Sequence, residues 1–336
     1  MDQSAWIIYN PMAGPLDVGH DIDLACRFWQ ARGWRVRILP TRSPGHAASL
    51  ARQGVRNRCK MVLAAGGDGT IGQIAHGLTG SDTILAVLPF GTANVFAKLL
   101  NLVPAAPVAR PDTQRICQRL ASGMVQTIDV GRAHAPGLPD GGHHFVSWTG
   151  IGLDGYVIDR TEPRPKWIKQ VTGRRFAWLW YLAVGVPAAI RYRGVQALVK
   201  VDNQTVEGTF VLVVIANSRL YGGGLVQLSP DACLDDGRLD VWLFKGEMFG
   251  QTLGHALRLL TSRHLMSRST VHLHGRRVLF QTRGPAAIEL DGEPAGQAPL
   301  YTVLVPRSLR LLAPEGAPAN LFCRPGTPFQ AMEGVS

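Results

Sequence analysis

The chain has 336 residues, which at roughly 100 to 200 residues per domain predicts about two domains, each large enough for its own core. Apolar residues make up 46% and charged residues 18%, a composition that excludes an intrinsically disordered chain. The formal net charge of +11 favours anionic partners such as nucleotides, nucleic acid or acidic lipid headgroups, without choosing among them.

The cysteines and the first residues bear on where the protein works. Its five cysteines are odd in number, widely spaced and never in a CxxC pair, so neither a disulfide framework nor a thiolate zinc site is expected. The chain starts without a basic segment and a following apolar run, which predicts no signal peptide. The longest uncharged run has 15 residues, short of the about 20 that span a bilayer. We expect a cytoplasmic protein, soluble or peripheral at the inner membrane surface.

The first third of the chain alternates short apolar runs with helical patterns. Strands are predicted at residues 6–9, 35–39, 61–65 and 84–88, and helices at residues 21–32, 46–53 and 71–78. Strand, turn and helix repeated in this order are typical of a doubly wound parallel sheet. An α/β domain is therefore predicted up to about Thr127.

The pattern changes near Thr127 to short alternating segments separated by Gly, Asp and Pro. Strands are predicted at residues 199–201, 210–215, 239–244, 270–274 and 278–282. Two helical stretches, residues 166–193 and 247–265, interrupt them, and the tail from Pro314 onward is expected to be partly loose. This pattern predicts a second, mostly antiparallel and sandwich-like β domain.

The strongest local signal is the sequence Gly-Gly-Asp-Gly-Thr at residues 66–70, between an apolar strand and a helix. Its three glycines are expected to allow positive φ and close approach to a ligand. A helix N-terminus offers N–H groups and positive dipole to phosphate. The turn therefore predicts a polyphosphate site, although a glycine turn alone is weak evidence.

Three further polar turns follow predicted strands: residues 10–14 (NPMAG), 41–47 (TRSPGHA) and 89–94 (PFGTAN). Four such turns after four parallel strands meet at the carboxyl edge, where open α/β sheets bind ligands. Neither the GxxxxGK[ST] nor the GxGxxG motif occurs, which gives no support to a P-loop ATPase or a Rossmann dehydrogenase.

In their order and spacing these turns resemble the lipid kinases of the diacylglycerol kinase catalytic-domain family, whose superfamily includes sphingosine and ceramide kinases. The likeness continues through residues 150–154, 234–237 and 290–294, so it covers nearly the whole chain. NAD kinases share the Gly-Gly-Asp-Gly-Thr turn, whereas the Gly-Thr-Ala-Asn and Asp-Gly-Glu segments favour the lipid branch.

The resemblance implies an ATP-binding domain at residues 1–127, a β-rich lipid-substrate domain at 128–306, and a tail at 307–336 that returns to the first domain. ATP would lie between the domains, and ATP and Mg²⁺ are the implied cofactors. The residues implied to contact ATP are Asn10, Thr41, Gly66, Gly67, Asp68, Gly69, Thr70, Ile71, Gly72, Thr92 and Asn94.

Two carboxylates are candidates for the catalytic base. The resemblance implies Glu293, and Asp68 is the rival because related sphingosine kinases look as if they use that position. A structural magnesium site would take the carboxylate of Asp236. Backbone carbonyls of Cys233 and Arg238 would complete it.

Asp154 is the candidate for holding substrate hydroxyls, with an ordinary turn residue as the plainer interpretation. Asp68 could instead cap the helix that follows it. Asp291-Gly292 is a good hairpin turn, which would leave Glu293 on a solvated strand. His143-His144 has no third ligand at metal spacing and is expected in a surface loop.

Residues 166–193 combine six Lys and Arg with aromatic residues that include Trp178 and Trp180. Such a mixture suits an anionic membrane interface, and equally a helix packed on the second domain.

The sequence therefore predicts a lipid kinase that transfers the γ-phosphoryl group of ATP to a lipid hydroxyl, of diacylglycerol or a related acylglycerol or sphingoid lipid. Its rivals are an NAD-kinase-like phosphotransferase and a non-catalytic lipid-binding protein. The expected partners are a lipid substrate at a membrane surface and anionic headgroups. Nucleic acid is not expected, because RNP-type motifs and zinc fingers are absent from the sequence. The sequence leaves open whether the chain forms a homodimer.

Overall fold

The structure, a computed structural model, describes residues 3–11, 18–103, 111–161, 187 and 190–330. The strands are β1 (Ser4–Tyr9), β2 (Arg35–Pro40), β3 (Met61–Gly66), β4 (Ile84–Pro89), β5 (Met124–His134), β6 (His143–Phe145), β7 (Trp148–Gly152), β8 (Val195–Val201), β9 (Gln204–Ala216), β10 (Leu220–Tyr221), β11 (Val226–Gln227), β12 (Leu239–Lys245), β13 (Thr270–Gly275), β14 (Arg277–Thr282), β15 (Ala287–Leu290), β16 (Glu293–Gln297), β17 (Leu300–Ala313) and β18 (Thr327–Pro328). The helices are α1 (Gly19–Gln30), α2 (His46–Arg56), α3 (Asp68–Leu78), α4 (Val95–Leu99), α5 (Thr113–Ala121), α6 (Leu153–Thr161) and α7 (Phe249–Leu260), with 3₁₀ turns at Arg263–Met266 and Ala319–Leu321.

The chain folds into two compact units. Unit 1 comprises Met1–Val130, Cys233–Asp236 and Pro306–Ser336. Unit 2 comprises Gly131–Ala232 and Gly237–Val305. Unit 1 is therefore assembled from segments far apart in sequence.

Unit 1 is built on a parallel sheet in the order β2-β1-β3-β4-β17. Strands β3 and β4 are buried at every position. Strands covered on both faces have no solvent side, which is why these two segments are continuous apolar runs rather than alternating ones. Helix α1 packs against α5, and α2 packs against α3. The predicted doubly wound α/β domain is confirmed.

The contact between α2 and α3 depends on a glycine. A Cβ atom on Gly77 of α3 would lie 2.6 Å from the carbonyl oxygen of Ala48 and 2.7 Å from the Cβ of Ala51, both in α2. The two helix backbones therefore approach more closely than any side chain at position 77 allows.

The described tail is ordered, so the expectation that the chain loosens from Pro314 onward is wrong as far as residue 330. Strand β18 pairs with β5, and Phe329 is 1% exposed. The ring of Phe329 stacks on that of Trp34 with 5.7 Å between the ring centroids, and it meets the ring of Trp29 edge-on with 5.9 Å between the centroids. The burial of these aromatic rings offsets part of the entropy cost of ordering a Pro- and Gly-rich segment.

Unit 2 is an antiparallel β structure, as predicted. The long strand β9 pairs with β7, β8 and β12, and further strands extend the sheet through β14 and β15. In β8, Ala197, Val199 and Val201 are buried and alternate with more exposed residues, the period of two expected for a sheet with one covered face. These side chains join a single apolar core with Phe210 and Phe280.

The helical predictions for unit 2 fare differently. The stretch at 247–265 is α7 followed by a 3₁₀ turn. The stretch at 166–193, with Trp178 and Trp180, lies outside the described residues apart from 187 and 190–193.

His143 and His144 lie in strand β6, not in a surface loop, and burial lowers the pKa of His144 to about 4. Among the described residues, no helix combines the length and apolar character needed to cross a bilayer.

Candidate active site

The turns after β1 to β4 lie at one edge of the unit 1 sheet, because parallel strands end at the same edge. The backbone N–H of Asn10 donates to the carbonyl of Ala65 at 3.2 Å. The N–H of Thr41 donates to the carbonyl of Tyr9 at 2.8 Å. The described parts of the predicted phosphate turns are thus brought together, residues 12–14 of the first turn lie outside the described residues, and the contacts to ATP stay a prediction.

The turn after β2 is also tied to α3. Gly45 has a φ of +76°, which favours glycine, and its N–H donates to the Oε1 atom of Gln73 at 3.1 Å. His46 accepts a hydrogen bond from the N–H of Arg42 at 3.0 Å through Nδ1. The turn that carries Thr41 is therefore held from both sides.

A backbone contact joins the turns after β3 and β4. A Cβ atom on Gly91 would lie 2.2 Å from the Cα of Gly67, and the N–H of Phe90 donates to the carbonyl of Gly66 at 3.0 Å. The expectation of positive φ at the three glycines of residues 66–70 is wrong, since Gly67 has a φ of −92° and neither Gly66 nor Gly69 is in the left-handed region. These glycines are required for space: the two turns touch through their main chains.

Helix α3 begins at Asp68, three residues earlier than predicted. The N–H groups of Gly69 and Thr70 lie in its first turn, where no acceptor exists within the helix, and this end is positively polarised. Ile71, by contrast, donates its N–H to the carbonyl of Gly67 at 3.0 Å and is fully buried. Gly72 lies with Ile71 in the buried part of the helix, and the predicted contacts of both residues with ATP stay a prediction.

The carboxylate of Asp68 caps a helix, but it is α4 and not its own helix. Oδ1 of Asp68 accepts the N–H of Phe96 at 3.0 Å. Burial raises the pKa of Asp68, while the N–H groups of Phe96 and Val95 and the ammonium of Lys98 favour its charged form. Asp68 therefore links the two glycine turns and is engaged by fixed donors.

Asn94 shapes the turn after β4. It has a φ of 51° and is 3% exposed. Its Oδ1 accepts the N–H of Gly91 at 2.8 Å, and its Nδ2 donates to the carbonyls of Gly91 at 3.0 Å and Pro89 at 3.3 Å. The amide group of Asn94 is used within the turn that carries the half-buried Thr92, and the contact of Asn94 with ATP stays a prediction.

The Asp-Asp-Gly turn contains one buried and one half-buried carboxylate. Asp235 is 3% exposed and accepts the N–H groups of Cys323 at 2.6 Å and Arg324 at 3.1 Å, which anchors the tail of unit 1. Asp236 is half-buried, and a carboxylate beside backbone carbonyls is the hard oxygen donor set that Mg²⁺ prefers. The magnesium site at Cys233, Asp236 and Arg238 fits this chemistry and stays a prediction.

Glu293 begins β16 directly after a two-residue turn in unit 2. Asp291 and Gly292 have φ values of 47° and 84°, which is the left-handed pair of a type I′ hairpin, and Leu290 pairs with Glu293 across it. Residue 293 is exposed. The predicted hairpin turn is present, and it places the Glu293 carboxylate next to a rigid corner.

The corner is rigid because Asp291 is anchored. Its carboxylate accepts the N–H groups of Val146 at 2.9 Å, Ser147 at 2.8 Å and Trp148 at 3.2 Å, and the residue is 6% exposed. Three backbone donors on one carboxylate stabilise its charge and fix its position.

Two neighbouring acids, the fully buried Glu289 and the half-buried Asp154, lie next to this hairpin in unit 2. The hydroxyl of Tyr221 donates to Oδ2 of Asp154 at 2.7 Å, and the N–H of Gly292 donates to Oε2 of Glu289 at 2.7 Å. A Cβ atom on Gly150 would lie 2.5 Å from Oδ2 of Asp154 and 2.6 Å from Oε1 of Glu289. The glycine therefore makes room for both carboxyl groups.

Burial raises the pKa of Asp154 and raises that of Glu289 well above its usual range, the latter further because Asp154 lies beside it. The pair consequently favours holding a proton. Asp154 lies in the first turn of helix α6 and not in a plain turn, and its role toward substrate hydroxyls stays a prediction. Sequence reasoning missed Glu289 and Tyr221; the available signal was a Glu inside the apolar run that precedes Asp291.

Comparison with known proteins agrees with the two units. A model described as the diacylglycerol kinase catalytic domain matches residues 4–133, and one described as the YegS C-terminal NAD kinase beta sandwich-like domain matches residues 165–313. The diacylglycerol kinase of Bacillus subtilis is 26% identical over 314 residues, covering 93% of this chain and 96% of that protein.

A Xanthomonas euvesicatoria protein named "Probable lipid kinase YegS-like" is 29% identical over 296 residues, covering 85% of this chain and 89% of its own. The crystal structure of a diacylglycerol kinase from Bacillus anthracis shares the fold, with a TM-score of 0.63 and 19% identity over 93% of this chain and 97% of that one. Residues 4–133 therefore match the diacylglycerol kinase catalytic domain, and most of the chain is similar to proteins named as diacylglycerol kinase and probable lipid kinase.

Proposed function

We propose that the protein transfers the γ-phosphoryl group of ATP to the hydroxyl of diacylglycerol or a related acylglycerol or sphingoid lipid. The observation that carries this proposal is the main-chain cradle in unit 1. Gly67 and Gly91 touch without side chains, beside the first turn of α3. Backbone N–H groups in the first turn of a helix favour phosphate oxygens, and a main chain without side chains lets the phosphates approach them.

The residues that would hold ATP surround this cradle. Gly69 and Thr70 offer first-turn N–H groups, and Asn10, Thr41 and Thr92 lie on the neighbouring turns of the same edge. When bound, Mg²⁺ neutralises charge on phosphate oxygens, and Asp236 is the residue proposed to hold a structural ion of this kind. The enzyme residues then position the phosphates and keep water away.

Glu293 is the proposed catalytic base. A lipid hydroxyl needs a carboxylate to orient it and accept its proton. Asp68 is the weaker candidate because its Oδ1 already accepts the N–H of Phe96 and its charge is shared with Lys98. Glu293 is exposed and follows an anchored turn, which suits a group that meets an incoming substrate.

A lipid kinase must take its substrate from a bilayer, and unit 2 offers a surface for this. Leu253, Leu257 and Leu260 lie on one side of α7 and are 47%, 56% and 63% exposed. Leu265 and Met266 in the following 3₁₀ turn are 52% and 91% exposed. We define these five residues as the α7 apolar face. Clustered exposed aliphatic residues of this kind favour insertion at a membrane interface.

The charges around the α7 apolar face suit an anionic bilayer. Arg258, Arg263 and Arg268 are exposed beside it, and residues 248–288 contain six Arg and no Asp or Glu. Basic residues next to a membrane surface are attracted to acidic headgroups. The opposite side of α7, with Thr252, His255 and Leu259, is buried in unit 2, so the apolar face is a stable part of the fold.

Incubation with radiolabelled ATP and a total lipid extract tests the reaction, with NAD and water as competing acceptors. We expect label in one lipid class, identified by chromatography and mass spectrometry. Label in NAD would support the NAD-kinase-like rival. Lipid binding without any label would support a non-catalytic lipid-binding protein.

Vesicle flotation tests the membrane surface. We expect binding to vesicles of anionic phospholipid, weaker binding to neutral ones, and a loss in Leu257→Asp/Leu260→Asp. Leu225→Asp, which alters another exposed leucine of unit 2, is the matched control and should bind like wild type. Loss in Trp178→Ala/Trp180→Ala alone would move the interface to residues 166–193.

A further inference from the structure

Three metal-binding side chains converge on strands β12 and β13, outside the residues assigned to phosphoryl transfer. Nε2 of His272 lies 2.6 Å from Oδ1 of Asp240, and Nε2 of His274 lies 3.2 Å from the same oxygen. The donor atoms of the three residues all lie within 4.8 Å of one another. The contact of His272 with Asp240 is a hydrogen bond, so an ion bound here would replace the shared proton and spread the donor atoms slightly apart.

The convergence follows from the strand pairing. In the antiparallel ladder Asp240 lies opposite His274, and Trp242 lies opposite His272. His272 and His274 are two residues apart, so their side chains point to the same face of the sheet as Asp240. Strand β12 also pairs with β9 on its other side, with Asp240 opposite Ala216, which holds the carboxylate residue from both sides.

The donor chemistry selects a type of ion. Two imidazole nitrogens and one carboxylate oxygen suit divalent transition metals, whereas Mg²⁺ prefers an all-oxygen set. Asp240 is buried at 6% side-chain exposure, while His272 and His274 are 30% and 42% exposed. The site is therefore closed on the protein side and open to water on the other.

We propose that Asp240, His272 and His274 bind one Zn²⁺ ion through three protein ligands, with solvent completing the coordination shell. This inference is independent of the lipid kinase reaction. It also concerns a different site from the carboxylate of Asp236.

The surroundings of His272 favour a defined geometry. Its ring stacks on the indole of Trp242 at 3.7 Å with an angle of 7° between the planes. The Nε1–H of Trp242 donates to Oγ of Ser229 at 2.7 Å, which fixes the indole in turn. A metal ligand whose ring orientation is set by packing loses less freedom on binding. The same stacking makes Trp242 an optical reporter.

The test uses the full-length protein after removal of metal with a chelator. Calorimetric titration with Zn²⁺ should show saturable binding of one ion that is abolished in His272→Gln/His274→Gln. The cysteines could also take up Zn²⁺, so Cys323→Ser is the first control. His143→Gln, which alters a histidine on another strand of unit 2, is the second. Both controls should keep the site.

Co²⁺ and tryptophan fluorescence supply readouts that do not depend on activity. Co²⁺ should give a visible absorption band typical of nitrogen ligation in wild type, together with altered Trp242 fluorescence, and neither in the double variant. Asp240→Asn should weaken Zn²⁺ binding at least tenfold, while its melting curve reports whether it folds. Equal Zn²⁺ binding by wild type and the double histidine variant, or no saturable binding by wild type, would overturn the proposal.

Discussion

Asp68 in unit 1 and the pair Asp154–Glu289 in unit 2 are acids in opposite settings. Burial raises the pKa of all three. Asp68, however, is surrounded by compensating groups: two backbone N–H donors and the ammonium of Lys98. Glu289 receives one N–H, from Gly292, and faces another acid.

The comparison shows that carboxyl groups have two different roles in this protein. A carboxyl group held by backbone donors and a cation organises the loops around it, and those donors oppose the effect of burial on its pKa. Two neighbouring carboxyl groups with no cation to compensate them favour holding a proton. When that proton is lost, the repulsion between the two charges lowers the stability of the fold. Neither arrangement resembles the exposed Glu293, so the three acids should respond differently to amide substitution.

Glu293→Gln should have the largest effect, because a positioned base contributes about 10²- to 10⁴-fold to turnover. We expect kcat for lipid phosphorylation to fall by that factor, with ATP affinity and the melting temperature close to wild type. On one preparation, single-turnover kinetics measure the phosphorylation rate, nucleotide titration measures ATP affinity, and a melting curve measures stability. Retained kcat would pass the base role to Asp68, and lost ATP binding would show Glu293 to be structural.

Asp68→Asn should lower kcat by about 10- to 100-fold, less than Glu293→Gln, because it removes charge but not the base. The amide oxygen can still accept the N–H of Phe96, so α4 should keep its position. Circular dichroism shows whether each variant keeps its fold, and kcat for lipid phosphorylation is compared between Asp68→Asn and Glu293→Gln. A greater loss than in Glu293→Gln would place the base in unit 1, and wild-type activity would leave Asp68 as a helix cap only.

Glu289→Gln should stabilise the protein, and more so as the pH rises. A carboxyl with a raised folded-state pKa contributes stability that is complete below the usual Glu pKa of about 4.3 and lost as the pH rises through the folded-state value. The amide cannot ionise, and its NH₂ can donate to Asp154. We expect a gain on the order of 1 kcal/mol at neutral pH.

Urea unfolding of wild type and Glu289→Gln from pH 4 to 8 measures this gain. Asp202→Asn, at a surface turn whose carboxylate accepts the N–H groups of Arg276 and Arg277, is a contrasting control and should destabilise instead. A stability difference for Glu289→Gln that does not widen with pH would contradict a shared proton.

Tyr221→Phe should have the smallest effect. It keeps the edge-on ring contact with Trp148 and removes only the hydroxyl that donates to Asp154. We expect a loss of about 0.5 to 1 kcal/mol, the net value of one hydrogen bond. The double variant with Glu289→Gln checks coupling: strictly additive unfolding energies would contradict a connected cluster.

The elements that sequence analysis predicted best are those whose residues carry their own signal. Strands β3 and β4 are found within a residue of their predicted ends because every position is apolar and buried. Helix α5 was missed, although Asp112 caps it by accepting the N–H of Arg115 at 3.0 Å and buried Ile116 and Leu120 lie four residues apart. A short helix after a Pro-rich stretch gives a weak pattern.

The candidate site was predictable as a set of turns but not in its details. Asp235 and Asp236 are equivalent in the sequence, and only the N–H of Cys323, 88 residues away, shows which of them is buried. The partnership of Asp154 with Glu289 likewise depends on two strands and a helix meeting in space. Long-range pairing of this kind leaves no local pattern to read.

The two units can be completed only in the reverse of the order in which they begin along the chain. Residues 306–330 supply the strand beside β4 and the ring that stacks on Trp34, so the first unit to be started is the last to be finished. All of unit 2 has been synthesised before those residues emerge. Until those residues emerge, β4 is an unpaired edge strand of the nascent sheet. Chaperones or other strands can bind to such an edge.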